Sequence, residues 1–239
     1  MSLELYDMEY KIYQYQGIGF IRATNKNGLS VIFCPVGASI KSISLDGNEL
    51  LLTPKEAATF LNKDNLFGKT MGPVFTDEVF INGVNFTFNN RWTANAFMFS
   101  GKPLYDKNYF CIQYVFHKKK NEDGLPGNVQ YFISYTLSDA SNELLIDYRV
   151  ISDKDVPIDL SIRLPFLFDT YKAGETSALI EKENYQVEIL PKGYDYFDVK
   201  EESLDTQNGI SISPRNKNTG LVNQFKPYQR QILYRFIKK

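Results

Sequence analysis

The sequence is short of the groups on which most enzymes rely. Its 239 residues include one histidine, His117, one tryptophan, Trp92, and two cysteines, Cys34 and Cys111. With His117 alone in VFHKKK at a strand end, acid–base work at neutral pH would fall to carboxylates. His117 itself reads as an exposed strand-end residue. The cysteines sit in the apolar runs VIFCPV and YFCIQY and read as two buried free thiols rather than a disulfide. No apolar stretch approaches the ~20 residues that span a bilayer. The start, MSLELYDMEYK, has no basic segment followed by an apolar run, so a cytoplasmic location with no membrane contact is expected. An excess of either charge is missing too. With 27 basic and 28 acidic residues, net −1, there is no electrostatic case for nucleic acid. No metal-ligand spacing, phosphate-cradling glycine loop or Gly-x-Ser-x-Gly elbow occurs, so neither a metal nor a cofactor is expected.

What the chain has is aromatic, strand-forming material: 18 Phe, 16 Tyr and 43% hydrophobic residues. Strand signals run from end to end. YKIYQYQ (10–16) alternates, LSVIFCP (29–35) is an apolar run, and 40–45 alternates again into the turn dipeptide Asp46-Gly47. Residues 79–88 form the clearest hairpin, with Asn82-Gly83 supplying the positive φ angles of a type I′ turn. Residues 109–116, 129–137 and 144–151 read as a three-strand meander, and 179–190 and 230–237 supply later strands. Lys118 to Lys120, balanced by Glu122 and Asp123, read as a solvated hairpin tip. Only PKEAATFL (54–61) looks helical, with Thr53 as N-cap and Pro54 at the first position. With no linker, low-complexity segment or fixed-period repeat, residues 1–239 read as one all-β domain, an antiparallel β-sandwich.

The acidic residues cannot be paired from sequence alone. Asp77-Glu78 precedes the hairpin, and Asp195 and Asp198 lie in GYDYFDV, read as an aromatic loop; solvated turn and edge positions suit them all. Trp92, in NNRWTANAF, could stack on the apolar face of a sugar or simply pack.

The order of segments resembles the aldose 1-epimerase (galactose mutarotase) family. NKNGLSVIFCPVGASIKSISLDGNELLLTP (25–54) is similar to its opening strands, FGKTMGPVF (67–75) to its Gly-rich segment, and INGVNFTFNNR (81–91) to the hairpin that follows. The strongest likeness is EDGLPGNVQYFISYTLSDASNELLIDYRVISDKDVPIDL (122–160), which follows the family's meander in order and approximate spacing. SPRNKNTGLVNQFKPYQRQ (213–231) resumes it more weakly. The resemblance implies a galactose mutarotase-like antiparallel β-supersandwich. It also implies chemistry in which a carboxylate and a histidine open and reclose a pyranose ring while exchanging roles as base and acid.

At the positions that match the family's motifs, this chain departs from it. Arg163, in SIRLPF, stands where the acid histidine would be, and a guanidinium cannot give up its proton near neutrality. Phe99 replaces the second histidine, a sugar-binding arginine falls near Asp77, and the base glutamate falls near Ser213-Pro214-Arg215. The chain also reads as short for the family between Asp198 and Ser213. The resemblance implies a small-molecule carbohydrate as ligand; the departures imply that the usual His/Glu catalysis is absent, and the Arg163 fork would suit a sugar phosphate. Asn95, Phe99, Arg163 and Ser213 are the expected wall positions, with Asp77 opposite and Trp92 as an aromatic platform. Arg163 either offers its planar fork to an anionic sugar or is spent in a salt bridge to Asp77 or another acid. Two rival readings stand beside this one. The first is an active epimerase using Asp77 and Asp195. The second is a non-catalytic interaction or sugar-sensing protein, a homodimer through an exposed sheet edge being one form of it.

Overall fold

The computed structural model describes residues 8–56, 60–62, 65–74, 76–88, 98–204 and 206–239. The chain opens with β1 (Glu9–Tyr15), β2 (Ile18–Thr24), β3 (Leu29–Cys34), β4 (Ser39–Leu45) and β5 (Asn48–Glu49), which form one antiparallel sheet in chain order. β6 (Thr70–Met71) and the hairpin β7 (Glu78–Ile81)–β8 (Val84–Thr87) follow. The tight turns are as the dipeptides require. Asp46 and Gly47 have φ of 49° and 82°, and Asn82 and Gly83 have 53° and 79°.

The middle of the chain supplies β9 (Ser100–Asp106), β10 (Tyr109–Lys118), β11 (Val129–Ser138) and β12 (Glu143–Ser152). Short strands β13 (Val156–Ile158), β14 (Ser161–Ile162) and β15 (Pro165–Phe166) come next, followed by β16 (Thr170–Ala173), β17 (Ala178–Lys182) and β18 (Tyr185–Lys192). The chain closes with β19 (Tyr196–Leu204), β20 (Gln207–Arg215), β21 (Gly220–Val222) and β22 (Tyr228–Lys238). The large sheet runs β16-β17-β18-β22-β12-β11-β10-β9, antiparallel throughout. β14 pairs with β6, β13 with β21, and β15 with the β20–β19 hairpin.

Period-2 patterning explains how the layers close. On β11, Val129, Tyr131, Ile133, Tyr135 and Leu137 are all buried, as are Leu144, Ile146, Tyr148 and Val150 on the adjacent β12. That face meets the first sheet. Phe33 of β3 lies 5.8 Å from Phe110 and 5.4 Å from Tyr135, and the Tyr135 hydroxyl donates to the Ala38 carbonyl.

Several local expectations are revised. The 179–190 stretch is a hairpin, β17–β18, rather than one strand. Asp198 lies within β19, since the aromatic stretch becomes strand at Tyr196. Lys118 is not solvated: its side chain, 10% exposed, pairs with Asp123 at 2.7 Å. Cys34 is buried but Cys111 only half so, and both are free. β1 alternates in sequence without a buried face because it is an end strand, though Tyr10 packs on Tyr105 and Phe110. The expected helix at 54–61 lies partly outside the described residues. At its end Phe60 N–H donates to Glu56 O, the i to i−4 bond of a helical turn.

Candidate functional site

The centre of interest is the short passage from β14 to β15, where Arg163 sits between the fully buried Ile162 and Leu164. Its backbone is held on both sides. Arg163 N–H donates to Lys69 O at 3.2 Å, and its carbonyl accepts from Gly68 N–H at 2.6 Å. Gly68 is fixed by geometry: its φ is +71°, and a Cβ there would fall 1.9 Å from the Ile40 carbonyl oxygen. The β20 strand is stitched to the same passage. Ser213 Oγ donates to Ile162 O at 2.9 Å, and Ser161 Oγ donates to Pro214 O at 2.7 Å.

The Arg163 side chain is committed to a carboxylate from β19. Its Nε donates to Glu202 Oε1 at 2.5 Å, and its terminal nitrogen Nη2 contacts the same oxygen. The Phe67 ring lies 5.7 Å from the guanidinium carbon. Only 18% of the Arg163 side chain and 7% of the Glu202 side chain reach solvent. This ion pair is the salt-bridge alternative, with Glu202 in the place considered for Asp77.

Beside Glu202 opens a cavity of about 310 Å³ lined by Phe168, Glu201, Glu202, Ser203, Asn208, Gly209 and Ile210. One wall is aromatic: Phe168 is half-buried and packs 5.4 Å from Phe166. The lining also holds two carboxylates, an amide and a hydroxyl, with Ser203 Oγ donating to Asn208 Oδ1 at 2.8 Å.

The other expected wall positions are spread differently. Phe99 is 3% exposed and its ring packs 5.3 Å from Phe116 in the core. Ser213 is equally shielded, its hydroxyl spent on Ile162. Asp77 is exposed before β7, its carbonyl accepting from Phe88 N–H. Trp92 and Asn95 lie outside the described residues. Asp195 caps a turn, its Oδ2 accepting from Lys217 N–H at 2.9 Å. His117 is exposed at the end of β10.

Two buried charged groups flank the passage. Lys69 is fully buried, its Nζ donating to Asn62 O at 2.9 Å above the Phe60 ring, and burial pushes its amine down to about 8. Asp159, four residues before Arg163, is 2% exposed and accepts from Asn216 Nδ2 at 2.6 Å, with Arg215 at 3.7 Å. Burial raises its carboxyl, while Asn216, Arg215 and Arg230 oppose the rise. Sequence gave no sign of Glu202, Phe168 or this cluster, because their partners lie far along the chain. Among the described residues, no group of three or more His, Cys, Asp or Glu could hold a metal, and no helix is long and apolar enough to cross a membrane.

An eight-stranded antiparallel sheet facing a smaller sheet is the galactose mutarotase-like architecture. The aldose 1-epimerase family model matches residues 20–233, and the chain belongs to that family. Among solved structures it is similar to galactose 1-epimerase from Lactobacillus acidophilus NCFM. The TM-score there is 0.84 at 11% identity, covering 97% of this chain and 98% of that one. A galactose mutarotase-like protein from Clostridium acetobutylicum gives 0.76 at 14% identity, covering 98% and 99%. An aldose epimerase homologue from C. elegans gives 0.74 at 15%, covering 92% and 99%. At these identities the likeness is one of fold. No curated protein matches the chain in sequence.

Proposed function

We propose that the chain is a single mutarotase-like domain, residues 1–239, that binds a neutral saccharide and does not interconvert its anomers by the His/Glu route. The observation that carries this reading is the Arg163–Glu202 pair, taken with the sequence expectation that Arg163 stands where the family's acid histidine would be. Ring opening needs a group that can protonate the ring oxygen, and an arginine cannot act as that acid near neutrality. Because Glu202 already compensates the Arg163 charge, the pair favours a neutral sugar over an anionic one at this place. Phe168 as an apolar platform and Glu202, Asn208 and Ser203 as hydrogen-bonding groups fit a saccharide's two kinds of surface. Asp77, Trp92 and Asn95 remain candidate sugar contacts. Phe99 and Ser213 take a supporting part, holding β9 and β20 in place from behind the wall. An epimerase using Asp77 and Asp195 gains no support, since Asp195 spends an oxygen on Lys217 N–H.

The test is calorimetric titration of the full chain with galactose, glucose and a neutral disaccharide. Heat with at least one neutral sugar, lowered by Phe168→Ala or Asn208→Ala, is expected. Absence of heat with every sugar would overturn the reading.

A further inference from the structure

Asparagine followed by glycine occurs at Asn27-Gly28, Asn82-Gly83 and Asn208-Gly209, and the fold treats these pairs differently. A glycine after asparagine leaves its backbone nitrogen unshielded, so that nitrogen can attack the side-chain amide carbon wherever the chain is free to bend. Two of the pairs are held. Asn27 Nδ2 donates to Asp139 O at 3.3 Å and its N–H to Asn25 Oδ1 at 3.1 Å, while Gly28 N–H donates to Asn25 O at 3.2 Å. Asn208 pairs with Ser203 and Gly209 with Glu202 in the β19–β20 hairpin, and Asn208 Oδ1 accepts from Ser203 Oγ. Gly209 is buried, with the Phe166 carbonyl oxygen 2.8 Å from where a Cβ would stand.

Asn82-Gly83 has none of these restraints. Both residues are exposed, nothing lies within 4 Å of a Cβ placed on Gly83, and among the described residues the Asn82 carboxamide has no hydrogen-bond partner. The pair joins β7 to β8, which form a two-stranded sheet of their own. One face of that hairpin is anchored, with Val79 buried and Ile81 and Phe86 packed against the core. The rest is open to water: Val84, beside Gly83, is 51% exposed and Phe80 is 73% exposed. A hairpin of only two strands with an unheld turn opens locally at low cost, which lets Gly83 N reach Asn82 Cγ.

We propose that Asn82 is a site of spontaneous deamidation and that the product opens the β7–β8 hairpin. Hydroxide removes the Gly83 N–H proton and the nitrogen attacks Asn82 Cγ. The new C–N bond closes a succinimide ring as the side-chain nitrogen leaves as ammonia. Water then opens the ring at either carbonyl, giving aspartate or isoaspartate. The net change is one water consumed and one ammonia released, with no oxidant or reductant. Isoaspartate carries the chain through its side chain and so adds a backbone atom. A tight turn that relies on φ of 53° and 79° cannot absorb that atom without losing the Ile81–Val84 pairing. The hairpin therefore loosens as the protein ages, independently of any sugar binding beside Glu202.

The test incubates the full chain at neutral and at mildly alkaline pH and locates converted residues by peptide mass mapping, with isoaspartate counted by enzymatic methylation. Conversion at Asn82 should be about tenfold or more faster than at Asn27 or Asn208, as expected where local opening costs less, and should quicken with pH. In urea all of these asparagines should convert at similar rates, because the selectivity comes from the fold. Asn82→Gly keeps the positive φ without an amide to react, so it should fold normally and show no conversion at that position. Aged wild type should lose amide-exchange protection in β7 and β8, while aged Asn82→Gly keeps it. An unconverted Asn82, or equal conversion of all the pairs in the folded chain, overturns the site. Unchanged hairpin protection in converted protein overturns its consequence.

Discussion

Replacing Arg163 by alanine tests whether the guanidinium is spent on Glu202 or held for a ligand. In the folded chain the Glu202 carboxylate is 7% exposed and receives both nitrogen contacts of Arg163 on one oxygen. Removing Arg163 leaves that charge shielded from water with its main partner gone. Breaking one side of a buried ion pair costs about 3–5 kcal/mol, and 18% exposure of the arginine places the expectation at the lower end, about 3 kcal/mol. For a chain of this size such a loss lowers Tm by roughly 6–12 °C. Urea unfolding followed by circular dichroism should show the fall in midpoint with an unchanged slope. A second variant, Arg163→Met with Glu202→Leu, replaces both charges with apolar groups and should recover most of the loss, since buried pairs exchanged whole are often near neutral. A change within about 0.5 kcal/mol for Arg163→Ala, the range of an ordinary surface substitution, would refute the structural reading of the pair.

The buried amine of Lys69 should tie stability to pH. Below about 8 it must carry its charge inside the fold, whereas the unfolded chain holds that proton up to 10.5. Stability therefore rises as pH climbs from about 8 toward 10.5, and Lys69→Met should abolish that rise and stabilise the protein at pH 7 by up to about 3 kcal/mol. The buried tyrosines titrate in the opposite sense above pH 10, so the comparison is the difference between wild type and variant, and equal curves would contradict it. Among those tyrosines, Tyr135 donates to Ala38 O while the Tyr234 hydroxyl is buried without a partner. Tyr135→Phe should cost about 1 kcal/mol in thermal unfolding, whereas Tyr234→Phe should be neutral or stabilising. Gly68→Ala forces a methyl onto the Ile40 carbonyl and should destabilise by several kcal/mol or abolish soluble expression. For self-association through the exposed end strand β1, gel filtration at high concentration should give a dimer that Ile12→Lys disperses, and a clean monomer would count against it.

The strands were legible where period-2 alternation coincides with a buried face, as in Val129 to Leu137, and where a dipeptide dictates its turn, as at Asn82-Gly83. They were less legible at 179–190, where Glu183-Asn184 turns the chain without glycine or proline, and at β1, whose apolar residues alternate on an end strand. The oddity of Arg163 was visible in the sequence because a cation inside IRLPF demands a partner. The partner was not visible. Glu202 lies 39 residues away on a hairpin that crosses back over the passage, and nothing in KEESLD distinguishes it from Glu201.

The most direct test of sugar binding without anomer interconversion is proton NMR of α- and β-galactose at equilibrium with the full chain. Saturation of protein resonances should transfer to the sugar, while exchange between the two anomeric signals stays at the rate in buffer alone. Anomer exchange that accelerates in proportion to protein concentration, or sugar signals that receive no saturation from the protein, would contradict it.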